Sequence, residues 1–140
     1  MRKILIYLTL LIGTTILASE INWAKDFNSA VKEASRFNKP LFFVISSRTC
    51  PPCIRLKKTT FKDKDVVKTL NRDFVSVVAY TNEDYIPRDL FLGVTPTLWF
   101  LSPNGEPMFQ PIKGAIDAKN FLNALSIVKD EFNKSSKSGK

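Results

Sequence analysis

The sequence predicts an α/β fold of about four strands flanked by helices, and three observations carry that prediction. Short β-prone runs (Phe42 to Ile45, Phe74 to Tyr80, Thr97 to Phe100) alternate with segments whose apolar residues recur at helical spacing. The two cysteines of the chain stand as Cys50-Pro51-Pro52-Cys53, where the first run gives way to a helix. Pro96 opens the third run, one of the few sheet positions that proline tolerates. The chain has 140 residues, 44% of them hydrophobic, enough for one domain and no internal repeat.

Arg2 and Lys3 precede an apolar stretch, Ile4 to Leu17, which is followed by the small residues Ala18 and Ser19. Charge, apolar core and small residues in that order make a secretory signal pattern. The stretch falls short of the roughly 20 residues a spanning helix needs. Residues 1–19 are therefore expected to be a signal peptide, with an uncleaved anchor as the alternative because Ile16 and Leu17 are imperfect near the cleavage site. No cysteine lies near residue 19, which excludes a lipoprotein anchor. The expected location is periplasmic or otherwise extracytoplasmic.

The formal net charge is +8, and residues 1–19 hold only two of the 21 basic side chains. The lysines are scattered, without the basic-aromatic clusters that read nucleic acid. A solvated basic surface is the expectation, with no nucleic-acid partner; association with a membrane surface is a secondary one.

In residues 20–132, expected to form the domain, Asn22 can cap a helix running to about Asn38. Its Trp23, Phe27, Ala30, Val31, Ala34 and Phe37 would share one stripe. Asn38-Lys39-Pro40 stops that helix and leads into the first strand. Beyond the cysteines, Arg55, Lys57 and Lys58 mark an exposed helix. Asp63 can cap the next, Asp65 to Asn71, with Val66, Val67 and Leu70 buried. Pro87 can begin a short helix within Ile86 to Leu92, ended by Gly93. Ser102-Pro103-Asn104-Gly105 reads as a turn. A fourth strand, Met108 to Ile112, is expected at an edge because of Pro107 and Pro111. The last helix is expected from Asp117 to about Phe132, with Ala118, Phe121, Leu122, Leu125, Val128 and Phe132 on one face. Residues 133–140 form a polar tail expected to be disordered.

Proline is tolerated in a helix's first turn, where its missing N–H has no intrahelical partner. Cys50 is thus predicted at the helix N-cap, exposed, with Cys53 one turn inside. The attacking species in disulfide exchange is the thiolate, which a helix N-terminus stabilises through its dipole and free N–H donors. Pro51 and Pro52 each remove one donor, and the chain has no histidine to place an imidazolium beside the sulfur. That raises the Cys50 pKa within the range such cysteines span and favours a reductant over an oxidant. Arg48, Lys57 and Lys58 are near enough in sequence to pull the other way. As a purely structural bridge the pair would close a very short loop and constrain little. Zinc in a structural site needs four protein ligands, which two cysteines without histidine cannot supply, so no metal site is predicted. Copper(I) carriage by two thiolates is the non-enzymatic alternative, with thin methionine support. No haem motif, phosphate loop or nucleotide fingerprint is present.

With Cys50-Pro51-Pro52-Cys53 and Gly93-Val94-Thr95-Pro96-Thr97 in this element order, the chain resembles the thioredoxin family over roughly residues 21–132. The patterns Trp23…Asp26-Phe27…Asn38-Lys39-Pro40 and Thr60-Phe61…Asp65-Val66…Leu70 resemble its exported members, including the C-terminal domain of transmembrane reductant transporters. The resemblance implies a thioredoxin fold with a central mixed sheet. It also implies Cys50 as nucleophile, Cys53 as resolving thiol, a cis Pro96 facing them, and Thr95 backbone pairing with extended substrate. In thioredoxin a tryptophan precedes the first cysteine and a buried aspartate on the preceding strand serves the resolving thiol. Here those positions are Thr49 and Val44, so water, Glu83 or Asp84 would have to serve Cys53.

The expected function is an exported thiol–disulfide oxidoreductase reducing protein disulfides, with an oxidant or isomerase as the alternative. Its redox group would be the Cys50–Cys53 disulfide, with no further cofactor. The expected partners are protein disulfides and a membrane-bound electron donor, and the chain is expected to be a monomer.

Overall fold

The computed structural model describes residues 20–139. The expected signal segment, residues 1–19, lies outside them. The chain forms helix α1 (Phe27–Phe37), strand β1 (Leu41–Ser46), helix α2 (Pro51–Lys58), a 3₁₀ turn (Thr60–Lys62) and helix α3 (Lys64–Asp73). Strand β2 (Val75–Tyr80), a second 3₁₀ turn (Arg88–Leu90), strands β3 (Thr97–Leu101) and β4 (Ile112–Lys113), and helix α4 (Ala118–Ser138) complete it.

The four strands make one mixed sheet in the order β2-β1-β3-β4. β1 runs parallel to β2, with Leu41 opposite Val75, and antiparallel to β3, with Leu41 opposite Leu101. All six residues of β1 are buried, as a strand covered on both faces must be. Phe42 and Val44 face a cluster with Leu56, Phe61, Val66, Leu70, Phe121 and Leu125, which seats α2, α3 and α4 on one face of the sheet. Leu41, Phe43 and Ile45 face Ala30 and Ala34 of α1, together with Val75, Val77, Trp99 and Leu101. The sheet is thus a middle layer, with β1 at its centre and its C-terminal end aimed at the cysteines.

Local signals explain most element boundaries. Asp63 accepts N–H bonds from Asp65 and Val66, and Asp117 from Asn120, so each caps the helix it precedes. Asn38 ends α1 in the left-handed region, φ 50°. Gly105, φ 88°, closes the turn after β3, where a Cβ would sit 3.4 Å from Val31. Trp99 Nε1 donates to the Leu90 carbonyl at 2.9 Å and ties the second 3₁₀ turn to β3.

Three boundaries differ from the sequence expectation. α1 begins at Phe27, because Asp26 rather than Asn22 caps it by accepting the Ser29 N–H. Trp23 is drawn instead into a parallel bridge with Ser76 at the outer edge of β2, where Ala24 N–H donates to the Ser76 carbonyl. The fourth strand is only Ile112–Lys113, since Pro107 and Pro111 lack the N–H a ladder needs; Pro107 contributes a single bridge to Leu101. The tail expected to be disordered is helical through Ser138. No proline or glycine interrupts it before Gly139, and the Ser135 and Ser136 hydroxyls donate back to the carbonyls of Glu131 and Phe132.

Candidate functional site

The site lies where β1 ends and α2 begins. Cys50 is the N-cap of α2, with Pro51 and Pro52 as its first two helical residues. Cys50 and Cys53 are disulfide-bonded, their Cα atoms 5.2 Å apart. The Cys53 N–H donates to Cys50 Sγ at 3.3 Å. An N-cap side chain takes its bonds from the second or third helical N–H, and the second belongs to Pro52, which has none. One backbone donor therefore serves the sulfur where two could. Cys50 is half-buried rather than fully exposed, and Cys53 is 5% exposed. The helix thus leaves one sulfur partly open and hides the other.

The loop before β3 supplies the opposite wall. The Thr95–Pro96 peptide is cis, and the Thr95 carbonyl oxygen lies 3.4 Å from Cys50 Sγ. In the disulfide that sulfur carries no proton, so this is a contact; a Cys50 thiol could donate there. Thr95 is half-buried and Pro96 buried. Ile54, which follows Cys53, and Phe91, Leu92 and Val94, in the loop leading to Thr95, are exposed apolar side chains.

Arg48 does not act as a free charge beside Cys50. Its Nε and Nη2 each lie 3.1 Å from a Glu83 carboxylate oxygen, and its Cζ sits 3.6 Å over the Tyr80 ring. The Glu83 hydrogen bonds hold the guanidinium above its ordinary pKa. Two parallel N–H···O bonds and a stacked ring fix the loop leading into Cys50 to the end of β2. Asp84 accepts the Tyr80 N–H at 2.8 Å. Both acids considered for service to Cys53 are therefore engaged elsewhere, one with Arg48 and one with the backbone.

Behind Cys53 opens a groove of about 430 Å³, bounded by α2, the first 3₁₀ turn and the segment from Glu20 to Trp23. Val44, Ser46 and Val78 form part of its lining, and Cys53 and Lys57 of α2 both face it. The buried valine occupies the place that the sequence comparison assigned to a carboxylate. The sequence does not reveal this groove, because its outer wall is the segment around Trp23, whose apolar spacing predicts helix while α1 begins only at Phe27. Among the described residues, no three His, Cys, Asp or Glu side chains come together as a metal cluster, and no helix is long and apolar enough to cross a membrane.

The profile of the thioredoxin-like domain matches residues 27–129, which include both cysteines and Thr95–Pro96. This chain belongs to the thioredoxin-like domain family. Among curated proteins it is similar to anterior gradient protein 2 of Xenopus laevis, 31% identical over 88 residues, covering 56% of this chain and 48% of that one. The chain thus spans about half the length of the curated relatives it matches. Among solved structures it is similar to a candidate disulphide isomerase from Bacteroides thetaiotaomicron, at 32% identity and a TM-score of 0.65, covering 79% of this chain and 94% of that one. A thioredoxin from Thermus thermophilus superposes with a TM-score of 0.67 at 21% identity, over 78% and 87% of the two chains, which shows the fold alone. The thioredoxin-like domain here therefore has its family's four-stranded mixed sheet, with a Cys-Pro-Pro-Cys pair at the start of α2.

Proposed function

We propose that this chain is a thiol–disulfide oxidoreductase that reduces protein disulfides outside the cytoplasm, with Cys50 as nucleophile and Cys53 as resolving thiol. The observation that supports this best is the inequality of the two sulfurs: Cys50 half-open at the N-cap of α2, Cys53 buried one turn in. In the reduced protein the Cys50 thiolate attacks one sulfur of a substrate disulfide. The other substrate sulfur leaves as a thiolate and takes up a proton, and a mixed disulfide forms. The Cys53 thiolate then attacks Cys50 Sγ, the Cys50–substrate bond breaks, and the second substrate thiol departs. Two electrons pass to the substrate and the Cys50–Cys53 disulfide is formed, with no other redox group needed.

The direction rests on the single backbone donor at Cys50 Sγ and on Glu83 answering the charge of Arg48. Both leave the thiolate less stabilised and the disulfide harder to reduce, hence the dithiol a better reductant. The Thr95 carbonyl beside Cys50 and the exposed Phe91, Leu92, Val94 and Ile54 suit an extended, partly apolar substrate segment. A reductant in an oxidising compartment needs a donor, and a membrane-bound one fits the N-terminal signal pattern. The protein would act as a monomer. The second reading, an oxidant or isomerase, is supported by the isomerase-named relative.

The test is the reduction potential of the pair, by equilibration against glutathione or dithiothreitol buffers. A value near about −270 mV is expected, and one near about −120 mV would make the protein an oxidant. In an insulin-reduction assay Cys50→Ser should abolish activity, while Cys53→Ser should accumulate a mixed disulfide. Normal turnover by Cys53→Ser would defeat the two-cysteine mechanism.

A further inference from the structure

Three cations line the groove behind Cys53, and two of them are already paired. Arg48 lies 3.1 Å from Glu83 and Lys62 lies 3.2 Å from Glu20. Lys57 has no carboxylate within ion-pair distance among the described residues. It stands four residues after Cys53 on α2, on the same helix face. A helical side chain leans toward the N-terminus of its own helix, which favours a Lys57 stem directed along the groove toward the turn that carries Cys53. The remaining groups facing the groove do not compete for this role. Tyr80 from β2 lies under the Arg48 guanidinium, Glu20 is held by Lys62, and Val44, Ser46 and Val78 carry no charge.

We propose that Lys57 is the positioning residue for the resolving step: its ammonium stabilises the Cys53 thiolate that forms in the groove. This replaces a proton-accepting carboxylate beneath the thiol by a cation beside the anion. The Cys53 proton passes to solvent in the groove, and the thiolate attacks Cys50 Sγ as the Cys50–substrate bond breaks. The proposal rests on the reading of Cys53 as resolving thiol and is independent of the direction of electron flow. An opposite charge within reach lowers a thiol pKa by about 1–3 units when shielded, and less where solvent screens it. Lys57 is exposed, so its removal should slow resolution about threefold to tenfold at pH below the Cys53 inflection.

The experiment uses the reduced protein and the symmetrical disulfide of nitrothiobenzoate as probe. Cys50 attack releases one coloured thiolate, and Cys53 resolution releases the second, so the two steps are read separately by rapid mixing across pH. In Lys57→Met and Lys57→Gln the second release should shift its inflection upward by more than the first release shifts, with the thermal midpoint unchanged. Lys57→Arg should restore it, and salt should move the wild type toward the variants. A second-release profile in both Lys57 variants that superimposes on the wild type would overturn the proposal. So would an equal slowing by Glu83→Gln, which would make a carboxylate the group in control. Cys53→Ser separates the two readings. Were it to keep the second release, Cys53 would not be the resolving thiol and both would fall; if it loses that release while Lys57→Met behaves as wild type, only the role of Lys57 fails.

Discussion

Replacing Pro52 by alanine would return a second backbone donor to the Cys50 sulfur. Pro52 is the second residue of α2, the position from which an N-cap side chain normally receives a bond, and at present the sulfur receives only the Cys53 N–H at 3.3 Å. A hydrogen bond to a charged group contributes about 1.5–3 kcal/mol. Cys50 is half-open to water, which already solvates the anion, so the low end applies, roughly 1.5 kcal/mol, which corresponds to about one pKa unit. Because the reduced form is the one stabilised, the same change makes the pair more oxidising by up to about 30 mV. The Cys50 pKa can be read from thiolate absorbance in a Cys53→Ala background, and the potential from glutathione equilibration of the two-cysteine protein. Pro51→Ala is the control, since the first helical N–H is not one that an N-cap side chain normally engages; it should change either quantity much less. An unmoved Cys50 pKa in Pro52→Ala, with α2 intact by circular dichroism, would refute the argument that the missing donor sets the energy of the thiolate.

Two further predictions concern stability. Phe42 is fully buried at the centre of β1, with the rings of Phe61, Phe100 and Phe121 within 5.1–5.9 Å, so Phe42→Ala should cost about 3–5 kcal/mol by urea unfolding. A loss under about 1 kcal/mol would mean the aromatic cluster is not the core that holds α2 and α4 to the sheet. Asp26 and Asp117 have carboxyl pKa values lowered from 3.8, chiefly by the backbone N–H groups of Ser29 and Asn120 that they cap. A depressed folded pKa means this contribution is complete above the unfolded value and is lost as pH falls through the folded one. Asp26→Asn and Asp117→Asn should therefore leave the midpoint at pH 7 nearly unchanged, because asparagine caps as well, and flatten its decline below about pH 4. An unaltered acid limb would show that other carboxylates govern it.

The sequence by itself determined the parts whose causes are local. Cys50 at the helix N-cap follows from two prolines that can occupy only a first turn, and the starts of α3 and α4 follow from the aspartates preceding them. β1 was legible because a strand buried on both faces is an unbroken apolar run, and the turn at Gly105 because Asn-Gly takes positive φ readily. The resemblance carried by the cysteine pair and Thr95-Pro96 fixed the family before any coordinate. Tertiary structure decided what depends on neighbours distant in the chain. Trp23 has helical spacing to Phe27, yet the open edge of β2 offers its backbone a ladder partner that no window around residue 23 contains. Arg48 is near Cys50 in sequence, but Glu83 and Tyr80 arrive from the far end of β2 and take its charge and its face. Lys57 was legible as a basic residue on an exposed helix, near enough in sequence to act on Cys50, with nothing in the sequence to tie it to Cys53. That it lines the same groove as Cys53 appears only once α2 packs on the sheet, because packing selects which side of a helix is turned toward the groove.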